Sequence, residues 1–190
     1  MRCLRRVFRS RAWPYRDCEE MQVDIFANEL ERALSGDSAA APPVRILEGL
    51  STELAHRVIP GVPRTIYAEL WHITFWQQMT LEWVSGVETP YPEHASEGFP
   101  TKADVEREMW EQLCARFFDG NEKASKLARE GVGLETVIRC PSPPGRPVRT
   151  MTAREQLESL AAHNAYHFGR IVLMRQICGA WPPAAGGDSW

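Results

Sequence analysis

The sequence predicts an all-α fold, a four-helix bundle, on three observations. Four substantial segments carry apolar residues at helical spacing, and no stretch has a convincing strand pattern. The second of these segments is apolar around much of its circumference, as in a helix packed on several sides. At 190 residues and 44% hydrophobic, the chain is long enough to bury one real core. The expected organisation is a basic extension over 1–20, the bundle over 21–183 and a tail over 184–190.

Residues 21–35 place Val23, Phe26, Leu30 and Leu34 on one helical stripe, and Gly36 stops the run. A small-residue linker follows over 36–43. Residues 44–59 predict a short helix with Leu47, Leu50 and Leu54 apolar, broken by Pro60-Gly61-Val62-Pro63. The second long helix covers 64–85 and ends at Gly86. It carries the stripe His72, Trp76, Met79 and Trp83 beside Ile66, Leu70 and Ile73. A loop over 87–100 leads to Thr101, which caps a third helix reaching 130, with Asp104 three residues on. Val105, Met109, Leu113, Phe117 and Leu127 form its apolar set, and Asp119-Gly120-Asn121 is a place for a bend or interruption. Residues 131–151 are a Pro-rich connection, an ordered crossover with room for a short extended pair around 134–139. Thr152-Ala153-Arg154-Glu155 is a capping box that opens the last helix, 152–178, and Gly179 ends it. Trp181-Pro182-Pro183 leads into the tail, and there is no internal repeat.

Net charge is −3, but residues 1–16 hold six arginines and no acid, so the remainder is about −9. That balance argues against general nucleic-acid binding. The arginines at 1–16 still define a DNA-binding alternative, whose signature would be a steep salt dependence. Five cysteines without CxxC spacing favour free thiols in a reducing cytoplasm. No uncharged apolar run approaches membrane-spanning length, and the basic N-terminus lacks a continuous apolar signal core.

The chemistry concentrates in the last helix. Residues four apart on an α-helix are separated by ~400° and ~6 Å of rise, so His163 and His167 stack on one face. Leu160, Ile171 and Met174 share that face, which points it towards the core. Two neutral imidazoles there suit a borderline-soft divalent ion such as Zn²⁺, Ni²⁺ or Fe²⁺. His72 lies on the inward face of the second helix and completes a candidate triad. Three protein ligands leave a coordination position open for catalysis. Glu69, three residues before His72, is a candidate to orient that histidine or to act as a base. Asn164, Tyr166, Trp76 and Arg170 flank the three histidines as candidate pocket residues. The His-Glu-x-x-His motif of zinc proteases is absent, because Asn164 stands in the place of its glutamate. Two Glu-x-x-His motifs, ending at His56 and His72, raise a di-iron site, but they lie too close in sequence to come from two long helices. His56 and His94 are expected at the surface.

The run His163-Asn164-Ala165-Tyr166-His167-Phe168-Gly169-Arg170-Ile171-Val172, followed by Gly179-Ala180-Trp181-Pro182-Pro183, resembles the fourth-helix signature of the DinB/YfiT-like superfamily. Leu70-Trp71-His72-Ile73-Thr74-Phe75-Trp76 resembles its second-helix motif, and the likeness spans about 21–183. The resemblance implies an antiparallel bundle, often a homodimer, holding a divalent metal on His72, His163 and His167. It implies a small-molecule substrate and either a metal-dependent hydrolase or an S-transferase with a low-molecular-weight thiol as cosubstrate. Arg170 stands where relatives often carry glutamine. A non-catalytic dimeric metal-binding or interaction module is the alternative.

Overall fold

The structure is a computed structural model that describes residues 17–36, 38 and 40–184. The expectations for the arginine-rich residues 1–16 and for the last six residues lie outside the described ones. The described residues are mostly helical, in agreement with the all-α expectation, with seven α-helices among them.

The first helix, α1 (Asp17–Ser35), starts ahead of Met21. Its buried face is Ala27, Leu30 and Leu34, whereas Phe26 is 54% exposed. The predicted stripe was therefore misassigned at Phe26. One residue is ~100° of helical turn, and the small Ala27, not Phe26, faces the helices against which α1 packs. The segment 44–59 is two short helices, α2 (Pro43–Leu47) and α3 (Thr52–Ala55). Gly49 at φ +69 separates them, a conformation that disfavours any residue with a Cβ. Ser51 then caps α3 by accepting from the Leu54 N–H.

Helix α4 (Ile66–Val84) is capped by Thr65, whose hydroxyl accepts from the Ala68 N–H. The connection after it contains a short 3-10 turn, Ala95–Gly98. The predicted third helix is broken into α5 (Lys102–Arg107) and α6 (Trp110–Glu130). At the break Glu108 is extended, and its carbonyl accepts from the buried Tyr67 hydroxyl at 2.8 Å. Met109, expected inward, is 62% exposed, and Trp110 is buried in the core instead. Conversely, α6 runs unbroken through Asp119-Gly120-Asn121. Gly120 serves close packing there: a Cβ on it would lie 2.1 Å from Gln77 Nε2, and that amide donates to the Phe117 carbonyl.

The long connection contains the strands β1 (Val137–Cys140) and β2 (Arg149–Thr152), an antiparallel hairpin pairing Val137 with Thr152. Its first strand partly coincides with the extended pair expected around 134–139. Ile138 and Cys140 bury against Met79 and Trp83 of α4. Thr152 closes the hairpin and also caps α7 (Ala153–Ile177), accepting from the Glu155 N–H while Glu155 accepts from the Thr152 N–H. Helix α4 packs on both α6 and α7, and α1 packs on the same two. The central core joins Leu70, Ile73, Leu113, Phe117, Phe168 and Ile171.

Candidate metal centre

Helices α4 and α7 face each other, and their cross-contacts pair Thr80 with Gln156, His72 with His163 and Glu69 with His167. The helical period that places His163 and His167 on one face of α7 thus presents both to α4. The three histidines each offer a ring nitrogen, and these atoms lie within 4.8 Å of one another. His72 and His167 are 8% and 7% exposed, and His163 is half-buried.

Two of the rings are fixed from behind. His72 Nδ1 lies 2.6 Å from the Gly98 carbonyl oxygen. A carbonyl only accepts, so Nδ1 carries the hydrogen and Nε2 presents its lone pair to the cluster. His167 Nδ1 lies 2.7 Å from Glu69 Oε2, which likewise directs its Nε2 inward. His163 Nε2 is 3.2 Å from His72 Nε2. With Zn–N bonds of ~2.0–2.1 Å, a tetrahedral edge is about 3.3 Å, so this separation suits two ligands of one cation. Buried His163 Nδ1, and both polar side-chain atoms of buried Asn164, have no hydrogen-bond partner among the described residues.

Burial holds His163 and His72 in the neutral form. Burial, reinforced by His167 and His72, pushes the His163 pKa down to about 4. Burial also lowers that of His72, against the opposing hydrogen bond to Gly98. Metal ligation requires the neutral ring. Glu69 is fully buried. Burial pushes its carboxyl upward, but the hydrogen bonds from His167 and Arg170 outweigh burial and hold it below the usual range. Arg170 Nη2 lies 2.8 Å from Glu69 Oε1, and its Nη1 lies 3.5 Å from the Tyr166 hydroxyl.

The candidate residues are thus distributed as follows. Glu69 touches His167, not His72, the histidine three residues on that it was expected to orient. Arg170 meets Glu69 and no histidine nitrogen. Tyr166 stands at the solvent edge, 62% exposed, with its ring edge-on to His167 at 4.9 Å. Trp76 packs edge-on against His72 at 6.2 Å and His163 at 6.4 Å. Asn164 is buried beside His163. His94 is exposed, whereas His56, expected at the surface, is half-buried and stacks on Tyr67 at 4.4 Å.

Three neighbours were not anticipated. Gly98 supplies only a backbone carbonyl, which no side-chain pattern announces. Phe99 stacks on the His72 ring at 4.1 Å and 9°, and the Arg64 guanidinium lies 4.0 Å over the Phe99 ring. An aromatic and an arginine 35 positions apart leave no joint signal in the sequence. A cavity of about 1060 Å³ between α1 and α7 is lined by none of the three histidines.

No helix among the described residues is long and apolar enough to cross a membrane. A family model described as the DinB superfamily matches residues 44–171. That span includes His72, His163 and His167. No curated protein matches the chain.

Proposed function

We propose that this chain, which belongs to the DinB superfamily, is a divalent-metal-dependent enzyme acting on a small molecule, with His72, His163 and His167 as the ligands. The observation that carries this reading is the convergence of three ring nitrogens within 4.8 Å, two of the rings being anchored through Nδ1. The cross-contacts of Thr80, His72 and Glu69 with Gln156, His163 and His167 run in opposite senses along α4 and α7. They support reading α1, α4, α6 and α7 as an antiparallel four-helix bundle.

A divalent ion in such a site supplies Lewis acidity, which activates water for hydrolysis or a low-molecular-weight thiol for S-transfer near neutral pH. The protein's part is positional. Gly98 and Glu69 fix the tautomers of His72 and His167, and hydrogen bonds of this kind to the far nitrogen of a ligating histidine orient the ring and raise its basicity. Both carboxylate oxygens of Glu69 are engaged, by His167 and by Arg170. Its role is therefore to orient His167, and proton abstraction falls to another group or to solvent. Tyr166 and Arg170 form the solvent edge that substrate passes. Asn164, with both polar atoms unpartnered, and Trp76 form the wall beside His163.

The exposed apolar row Tyr166, Leu173 and Ile177 on α7 supports a homodimer, which sedimentation of the full chain tests. Cys114, Cys140 and Cys178 are free thiols, in keeping with a reducing cytoplasm.

Metal content of untagged protein tests the central claim. About one divalent ion per chain is expected, with loss in both His72→Ala and His167→Ala. A parent chain that stays metal-free after incubation with Zn²⁺, Ni²⁺ and Fe²⁺ refutes it. Turnover with ester and thiol panels then separates hydrolase from transferase. Full metal occupancy without turnover on any panel would favour the non-catalytic module.

A further inference from the structure

We infer that Arg64 is a specificity-determining residue that recognises a carboxylate on the small molecule bound at the histidine cluster. The inference rests on the metal-site reading above and adds the chemical class of the ligand.

Two arginines flank the cluster, and they differ in what they hold. Arg170 is committed, with its guanidinium on the buried carboxylate of Glu69 and on Tyr166. Arg64 has no carboxylate partner among the described residues. Its contact is with the face of Phe99, at 4.0 Å. Phe99 in turn lies nearly parallel to the His72 ring, 4.1 Å away. Phe99 thus lies about 4 Å from both groups and links the guanidinium to the His72 ring. Arg64 is exposed, so its N–H donors reach solvent while its guanidinium carbon is held over the Phe99 ring.

A guanidinium stacked on an aromatic face keeps its in-plane donors free, and its planar fork matches a carboxylate in two parallel bonds. The charge balance points the same way. Among the described residues Glu69 is the one carboxylate bonded to a histidine of the cluster, and Arg170 neutralises it. Arg64 and any divalent ion on the histidines are left as uncompensated positive charge. A ligand that coordinates at the cluster and carries a carboxylate satisfies both. If Arg64 merely covers Phe99, the aliphatic stem of a methionine would do the same work.

The test uses the full chain loaded with Co²⁺, whose visible spectrum reports ligand exchange, and two probes, 3-mercaptopropionate and its uncharged analogue 3-mercaptopropionamide. The parent is expected to bind the carboxylate about fivefold more tightly, the scale of one solvent-accessible ion pair. Arg64→Met should erase that preference with bound cobalt and amide affinity unchanged, and Arg64→Lys should restore part of it. A parent without charge preference, or a preference that survives in Arg64→Met, overturns the role of Arg64 and leaves the metal site standing. Failure of the parent to bind cobalt refutes the metal site and this inference together. Should Arg64→Met unfold, Arg64→Gln and the salt dependence of the parent's preference decide the matter: a preference unchanged by salt rules out an ionic contact.

Discussion

Replacing Glu69 by glutamine separates the proposed metal-orienting role of this residue from its structural one. The side chain is 1% exposed, with His167 Nδ1 at 2.7 Å and Arg170 at 2.8 Å. Glutamine keeps the shape and an acceptor oxygen for His167 but removes the charge that makes that imidazole a better donor to metal. Loss of a carboxylate that holds a ligating histidine from behind costs about 10–100-fold in metal affinity, or roughly 1.4–2.7 kcal/mol. Fold stability should change by only about 1 kcal/mol, because Arg170 is one-third exposed and can turn to water. Arg170→Met is the complementary perturbation. The Glu69–His167 bond remains, so Zn²⁺ affinity should hold. The buried carboxylate loses one of its two partners, which costs about 1–3 kcal/mol of stability. Competition with a chromophoric chelator measures the affinities and urea denaturation the stabilities. Parental Zn²⁺ affinity in Glu69→Gln would refute the claim that this carboxylate acts on the metal through His167.

Three further outcomes are expected. Because the His163 pKa lies near 4 instead of 6.5, the unfolded chain takes up its proton first as pH falls. Stability of the metal-free protein is therefore fully present above pH 6.5 and lost as pH drops through 4, by at most on the order of 3 kcal/mol. Denaturation across that window should show a shallower slope in His163→Gln, and an unchanged slope would contradict the burial of this ring. Zn²⁺ at a hundred times its dissociation constant should raise the melting temperature by about 5–10 °C, an effect absent from His72→Ala; calorimetry would detect an equal rise in both chains if the ion bound elsewhere. Gly120→Ala, which forces Gln77 off the Phe117 carbonyl, should cost about 1–2 kcal/mol despite the better helix propensity of alanine; a more stable variant in a urea titration would show that Gln77 has room to move.

Much of the fold was legible in residue order, because the rules that encode it act over a few positions. Thr101 with Asp104 and Thr152 with Glu155 announce helix starts through side chains that satisfy N–H groups within one turn. The spacing of His163 and His167 placed both on one face for the same reason, and the apolar company of His72 turned it inward. What lay beyond that range was decided by packing. The Glu108–Met109 break depends on Tyr67, 41 positions away, capturing a carbonyl, so the periodicity of the third helix could not reveal it. Phe26 and Ala27 differ by a rotation that only the approach of neighbouring helices resolves. Glu69 sits three residues from His72 but bonds to His167, 98 positions on. Gly98 and Phe99 reach His72 from a loop. A helix's period fixes which side chains share a face; the partner each one meets depends on the axial offset and rotation of helices set by the whole core.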